Sequence, residues 1–369
     1  MSLHSAKMDL QVASELRMVL EQYDLGKLVW YEKNERGFVN VGFAIETDAA
    51  RRYFLRKYKR GIKEAEIQFE HSLINHLVAE QFPPVARLYP TRAGLTYLHR
   101  LENDQDSEGV FYAIFDYLPG EDRFTWVDPD CTPEELKNAA ITLAQFHNAT
   151  SHFAPQRQRV EPKILDLLPV IIEIVKECPS KDKGTSFDRY LFENLPFILQ
   201  SLQRTRAILE EPQARKMVQL VIHCDFHPGN LKYEGEQVVG LFDFDWSKVD
   251  ARCFDVALAI WYFCAVWAGD GDGALRLGQV EMFLGAYQGW LQGRAGVGPL
   301  DPQEGKYLPY MINASNLYVM NWTILDYYAK EVDPQEYLIY LRHSVEFSRW
   351  FEVQDNFDRL EKIVFGLTG

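Results

Sequence analysis

The chain changes its period at Pro119-Gly120, and no other feature constrains the fold as strongly. Ahead of that point, apolar residues come in short β-type runs separated by brief turns: Leu28 to Tyr31, Phe38 to Glu46, Tyr53 to Tyr58, Leu95 to Arg100 and Val110 to Asp116. Consecutive strands with short turns predict an antiparallel meander. One helix is expected among them, over Lys63 to Glu80, where Ile67, Glu70, Ile74 and Leu77 fall on or near one face and Pro83-Pro84 ends the run. Behind the break the pattern is helical: Glu134 to Ala149, Ile164 to Lys176, Phe187 to Leu209, and again from about Asp255 to the end. Two short strands and a polar, glycine-containing turn interrupt it around Gln219 to Asp245. The expectation is an α+β chain: a leader and amphipathic helix over 1–24, a five-stranded antiparallel lobe with one helix over 25–117, and a larger, mainly helical lobe over 118–369.

Composition removes several function classes. Hydrophobic residues at 47% and charged residues at 25% fit a globular chain rather than a disordered one. The 53 acidic and 39 basic side chains give a net charge of −14, which argues against nucleic-acid binding through a basic footprint. The same charge suits a cationic small substrate, or serves solubility alone. Cys131, Cys178, Cys224, Cys253 and Cys264 form no CxxC pair and are odd in number, so neither a disulfide scaffold nor a zinc site is expected, and a reducing, cytoplasmic setting fits. The first residues carry no apolar signal-peptide core. Val256 to Ala268 is too short and too aromatic for a membrane span, so no membrane partner is expected.

The chemistry concentrates in 221–246. Val221-Ile222-His223-Cys224-Asp225-Phe226-His227-Pro228-Gly229-Asn230-Leu231 is followed by Leu241-Phe242-Asp243-Phe244-Asp245-Trp246. Apolar β-type residues precede both polar clusters, so each sits at a strand end, where loops carry function. Phosphoryl transfer needs a carboxylate to orient the attacking hydroxyl and hard oxygen ligands to hold Mg²⁺ against ATP. Asp225 suits the first task. Asn230, past a Pro-Gly turn, and Asp243, from the next strand, suit the second. His227 in the same loop is expected to be exposed.

These segments resemble the aminoglycoside phosphotransferase and choline kinase-like superfamily, whose motif is His-x-Asp-x-x-x-x-Asn followed by hydrophobic-Asp-x-Asp/Glu. The resemblance implies a bilobal protein-kinase-like fold with the ATP site between the lobes. It implies Asp225 as the catalytic carboxylate, Asn230 and Asp243 as Mg²⁺ ligands, and Asp245 either as a further metal or metal-water contact or as a capping carboxylate. His223 and His147 would be structural. Phe254-Asp255-Val256-Ala257-Leu258-Ala259 is similar to the family's Tyr-Asp-Leu-Ala helix start, where the Asp anchors the catalytic loop.

In the strand-rich lobe, the resemblance calls for a cation on the ATP phosphates and a helix carboxylate to hold it. Tyr53-Phe54-Leu55-Arg56-Lys57-Tyr58 supplies the cation: alternation sends Arg56 and Lys57 to opposite faces. The family pattern selects Arg56, with Lys57 as the alternative and Glu70 as the partner. Gly37 and Asn40 fit a Gly-x-x-Asn-type phosphate turn, and a hairpin needing positive φ at Gly37 explains them equally well. The backbones of Asp116 and Leu118 would meet the adenine edge.

The resemblance therefore implies a kinase, with ATP and Mg²⁺, acting on a hydroxyl of a small molecule. The Tyr-Phe-Leu-Arg strand resembles type II homoserine kinases and makes homoserine or a related amino alcohol the first expectation. Aminoglycosides, choline-like alcohols, sugars and protein Ser/Thr are competitors, as is a non-catalytic nucleotide-binding pseudokinase. The helical segments 151–215 and 270–369, where such families build the acceptor site, carry no readable motif.

Overall fold

Five strands of the first part pair as one antiparallel sheet: β1 (Leu28–Asn34), β2 (Val41–Thr47), β3 (Arg52–Lys57), β4 (Leu98–Arg100) and β5 (Val110–Asp116), in the order β1-β2-β3-β5-β4. A computed structural model describes residues 3–34, 40–101, 108–155, 157, 159 and 161–369. Strand alternation divides β5 cleanly. Val110, Tyr112 and Ile114 join Phe43, Ile45, Tyr53 and Leu55 in a buried cluster with Leu16, Val19, Leu20 and Tyr23. These last residues belong to helix α1 (Leu3–Leu20) and the turn after it. The N-terminal helix covers one face of the sheet through an i, i+3, i+4 stripe. Helix α2 (Glu64–Ala79) serves the opposite face, where Phe115 meets His71 edge-on at 6.0 Å between ring centroids.

One strand is shorter than expected. The run from Leu95 does not pair until Leu98, because Thr91 N–H bonds the Leu95 carbonyl at 2.8 Å and closes a turn at Gly94, φ +81°. Gly37 lies outside the described residues.

The chain separates into two compact units, Met1–Pro119 with Pro155–Arg159, and Gly120–Ala154 with Val160–Gly369. In the second, α3 (Pro133–Thr150), α4 (Ile164–Glu177) and α5 (Ser186–Leu209) precede a short β region. That region holds four strands rather than two: β6 (Gln219–Ile222), β7 (Leu231–Glu234), β8 (Gln237–Leu241) and β9 (Lys248–Ala251). They form two antiparallel ribbons, β6–β9 and β7–β8. The chain then continues as α6 (Arg252–Cys264), α7 (Leu277–Leu291), α8 (Pro302–Ala329), α9 (Pro334–Glu352) and α10 (Gln354–Thr368). Every residue of α6 is buried, which explains why its sequence is apolar all round. Among the described residues, no helix is long and apolar enough to cross a membrane.

Candidate active site

The two polar clusters are built on the ends of these ribbons. As β6 stops, the peptide N–H groups of His223 and Cys224 both donate to the Asp255 carboxylate, at 2.9 and 2.8 Å. Asp255 sits in the first turn of α6 and is held in turn by His147 Nε2 at 3.0 Å; His147 Nδ1 pairs with the Tyr287 hydroxyl at 2.8 Å. Burial would raise the Asp255 carboxyl, but the hydrogen bond and charge of His147, with the loop N–H groups, hold it below the usual carboxylate range. This anchored turn forces Cys224 into left-handed backbone, φ +63°, a state costly for a residue with a Cβ. Asp225 follows immediately.

Asp225 is fixed by neighbours on both oxygens. Tyr262 donates its hydroxyl to Oδ1 at 3.2 Å, and Asn230 Nδ2 donates to Oδ2 at 3.2 Å and to the Asp225 carbonyl at 2.9 Å. Burial pushes the Asp225 carboxyl up to about 6. Its side chain nevertheless keeps 21% of its surface exposed, enough to be reached by a small molecule. His227 is more enclosed than a polar loop suggests, at 15% exposure. Its Nδ1 accepts from Gly229 N–H at 3.1 Å, and burial drives its pKa down to about 3, so the ring is neutral.

The β7–β8 ribbon brings the second cluster alongside. Leu231 pairs with Leu241, and Phe242 N–H donates to the Asn230 carbonyl at 3.2 Å, so Asn230 and Asp243 flank the two ends of one hairpin. His223 Nε2 meets the Phe242 carbonyl at 3.1 Å and ties the segments from beneath. Asp243 is also left-handed, φ +65° and ψ +64°, at the point where β8 gives way to a 3₁₀ turn over Phe244–Trp246. Asp245, in that turn, is buried. Asp225, Asn230, Asp243 and Asp245 are thereby carried on two linked loops.

The first unit holds the other predicted residues. Register pairs Gly42 with Arg56 and Leu55 with Ile114. Arg56 NH1 bonds Glu70 Oε1 of α2 at 2.8 Å, with both side chains nearly buried. Lys57 leaves by the other face and meets Glu15 of α1 at 2.6 Å. Asn40 Oδ1 accepts from Lys59 N–H at 3.0 Å. The Asp116 N–H donates to the Arg87 carbonyl at 2.9 Å, and its carboxylate accepts from Arg87 Nε at 2.7 Å and the Tyr89 hydroxyl at 2.6 Å. Leu118, two residues on, is half-buried.

Over residues 30–296 the sequence matches the phosphotransferase enzyme family, APH. The chain belongs to that family. This phosphotransferase is a kinase, homoserine kinase-like in sequence: it is 27% identical over 336 residues to the homoserine kinase of Parvibaculum lavamentivorans (strain DS-1), covering 89% of this chain and 92% of that one. In fold it is similar to a microcompartment-associated aminopropanol kinase, with TM-score 0.66, 14% identity and coverage of 93% and 98% of the two chains. It is also similar to an amicoumacin kinase solved with AMP-PNP, Ca²⁺ and Ami, with TM-score 0.65, 15% identity and coverage of 93% and 96%. The expected α+β, protein-kinase-like fold is the fold of the phosphotransferase.

Several side chains packed around these loops escape a reading of the motifs. Tyr262 lies seven residues beyond Asp255, two helical turns on, so helical spacing places both on the side of α6 that meets the loop. A second group surrounds Cys224. Tyr318 of α8 lies 3.8 Å from Cys224 Sγ and donates to Glu161 Oε1 at 3.1 Å. Trp322, one turn further along α8, packs on Trp246 with centroids 4.9 Å apart. No local signal joins Glu161, Trp246 and Trp322; only the fold does.

Proposed function

We propose that the phosphotransferase moves the γ-phosphoryl group of Mg-ATP to the hydroxyl of homoserine or a related amino alcohol. The observation that carries the reading is the double hydrogen bond from Asn230 Nδ2 to Asp225. It spends the nitrogen of the amide on the catalytic carboxylate and leaves its oxygen as a hard ligand at the mouth of the hairpin that also presents Asp243.

The residues fit a divalent ion. Among the described residues, no cluster of three or more His, Cys, Asp or Glu could hold a metal alone. Mg²⁺ needs no such cage: it favours one or two carboxylates, an amide oxygen and nucleotide phosphates. Asn230 Oδ1 and Asp243, with Asp245 nearby, would hold it, and when bound it supplies positive charge on the phosphates. Asp225 then orients the acceptor hydroxyl and receives its proton as the new O–P bond forms and the bond from Pγ to the ADP oxygen breaks. Arg56, held by Glu70, would lie on the phosphates, and the Asp116 carbonyl and the Leu118 peptide on the adenine edge. Gly37 and Asn40 would form the phosphate turn. Lys57, engaged by Glu15, has the weaker claim to the phosphates.

The amine end of the acceptor finds support in the half-buried rings of Trp246 and Trp322, aromatic faces that attract a cation; Glu161 is already engaged by Lys248 Nζ at 3.7 Å and by the Tyr318 hydroxyl. The relative named a homoserine kinase and the overall negative charge point the same way. An ADP-release screen with Mg-ATP over homoserine, aminopropanol, ethanolamine, choline, aminoglycosides, sugars and a generic Ser/Thr peptide tests it. Homoserine or a short amino alcohol is expected to give the highest kcat/KM. Turnover confined to neutral sugars would overturn the acceptor assignment, and nucleotide binding with no turnover on any acceptor would favour a non-catalytic protein.

Binding can be checked without an acceptor. Mg-ATP at 100 times its Kd should stabilise the protein by about 2.7 kcal/mol through mass action, read as a rise in Tm. ATP with chelator should raise it less. Asp243→Asn should abolish most of the magnesium-dependent part, since a neutral amide replaces an anionic hard ligand.

A further inference from the structure

Arg56 is held by more than Glu70. Tyr58, two residues beyond Arg56, is 2% exposed, and its hydroxyl lies 3.0 Å from Glu70 Oε2 and 2.9 Å from His71 Nε2. His71, adjacent to Glu70 on α2 and also 2% exposed, places Nδ1 2.8 Å from Thr96 Oγ1. Proton counting assigns every direction in this chain. An ionised Glu70 has no proton to give, so the single Tyr58 hydroxyl proton goes to Oε2. The Tyr58 oxygen must then accept, which makes His71 Nε2 the protonated nitrogen. A neutral imidazole has only one N–H, so Nδ1 accepts from the Thr96 hydroxyl. Burial, with the charge of Arg56, drives the His71 pKa down to about 3 and keeps the ring neutral. The guanidinium carbon of Arg56 lies 5.8 Å from the Tyr58 ring centre and 5.4 Å from that of Phe115.

We propose that Tyr58 and His71 are positioning residues of the phosphate clamp. The relay Thr96 to His71 to Tyr58 fixes the second oxygen of Glu70, so that the first holds Arg56 in one orientation before nucleotide arrives. This rests on the assignment of Arg56 to the ATP phosphates. Lysine presents a rotatable point charge on a flexible four-carbon stem, whereas arginine presents a planar fork that works only when correctly aimed. Glu70 by one contact fixes a distance; Glu70 gripped at both oxygens, beside two rings, fixes the plane. None of these residues need touch the nucleotide.

The test is a set of steady-state measurements on the full chain. Tyr58→Phe keeps the ring and removes only the hydroxyl. Losing a hydrogen bond to a charged group should raise the KM for ATP by about tenfold, while the KM for the acceptor stays within about twofold. His71→Phe should reproduce the effect, and His71→Gln, which retains an N–H near the Nε2 position, should recover most of it. In an Arg56→Ala background the Tyr58→Phe effect should vanish, because there is nothing left to aim. If Arg56→Ala weakens ATP use and Tyr58→Phe does not, the relay has no positioning role. If Tyr58→Phe instead shifts both KM values equally alongside a lower Tm, its role is structural and the proposal falls. If Arg56→Ala leaves ATP use unchanged, the clamp assignment itself is wrong and takes the relay with it.

Discussion

Asp225→Asn should lower kcat by about 10²–10⁴-fold, the usual worth of a positioned acid–base group, and leave Mg-ATP affinity nearly unchanged. The variant tolerates its surroundings. Its amide oxygen can keep the bond from Asn230 Nδ2, and its NH₂ can face Tyr262, whose hydroxyl turns to accept. What disappears is the anion proposed to receive the acceptor proton. Stability should move the opposite way. Burial raises the folded pKa of Asp225 to about 6, above the unfolded value. The favourable contribution is therefore complete below the unfolded pKa and is lost as pH rises through about 6. At neutral pH the ionised carboxylate is a burden on the order of 1–3 kcal/mol. The metal-free Asp225→Asn protein should accordingly unfold at an equal or higher temperature than the parent at pH 7.5, and the difference should close towards pH 4. Single-turnover kinetics, Mg-ATP calorimetry and thermal unfolding with chelator measure the three effects. Near-normal turnover of a verified acceptor would mean that the HCDFHPGN loop is not catalytic.

How far the site can be read from the chain follows from where its groups come from. Asp225 and Asn230 share one loop, and Asp243 ends the next strand but one, so a local pattern carries the cluster. The strain cannot be read so easily. Cys224 and Asp243 are two of five non-glycine residues with positive φ among the described residues, and nothing in the identity of Cys224 announces it. Both conformations are imposed, at Cys224 by two hydrogen bonds to Asp255 and at Asp243 by the end of the hairpin. Arg56 and Lys57 are undecided by sequence because both are cations on one strand. The fold separates them, since Glu70 and Glu15 lie on opposite sides of the sheet.

The remaining departures have the same origin. The stripe Leu16, Val19 and Leu20 predicts an amphipathic helix, yet only three dimensions reveal that a sheet face is its partner. The short β region yields two strands to the sequence and four to the fold, because ribbons of four- and five-residue strands are too short for alternation to register. Asp116 donates its N–H to the Arg87 carbonyl across 29 residues. Tyr318 reaches Cys224 across 94 residues. Contacts of this separation leave no periodic trace, which is why the helical segments 151–215 and 270–369 are the least legible part of the chain.

Asp255→Ala should cost more stability than any substitution at the reacting groups, on the order of 3–5 kcal/mol. The carboxylate is fully buried and receives His223 N–H, Cys224 N–H and His147 Nε2. Its removal leaves two buried peptide donors without acceptors, each worth about 1–3 kcal/mol when unsatisfied, and frees a left-handed turn whose strain it holds. Seven of the eight tryptophans, all but Trp30, lie in the second unit, so denaturant unfolding followed by fluorescence reports on the affected part. Asp255→Asn should cost less, because one oxygen survives for the loop. The effect has a definite pH sense. The folded pKa is held below the unfolded one, so the contribution is present above the unfolded pKa and is lost as pH falls through the folded value. The gap between parent and variant should therefore shrink below about pH 4. Activity should fall as well, at temperatures where the variant stays folded, although Asp255 touches no reactant. With the Cys224 turn released, Asp225 no longer meets Tyr262 and Asn230 together, and the orientation of the acceptor hydroxyl is lost. An Asp255→Ala protein with unfolding within about 1 kcal/mol of the parent would show that α6 does not anchor the loop.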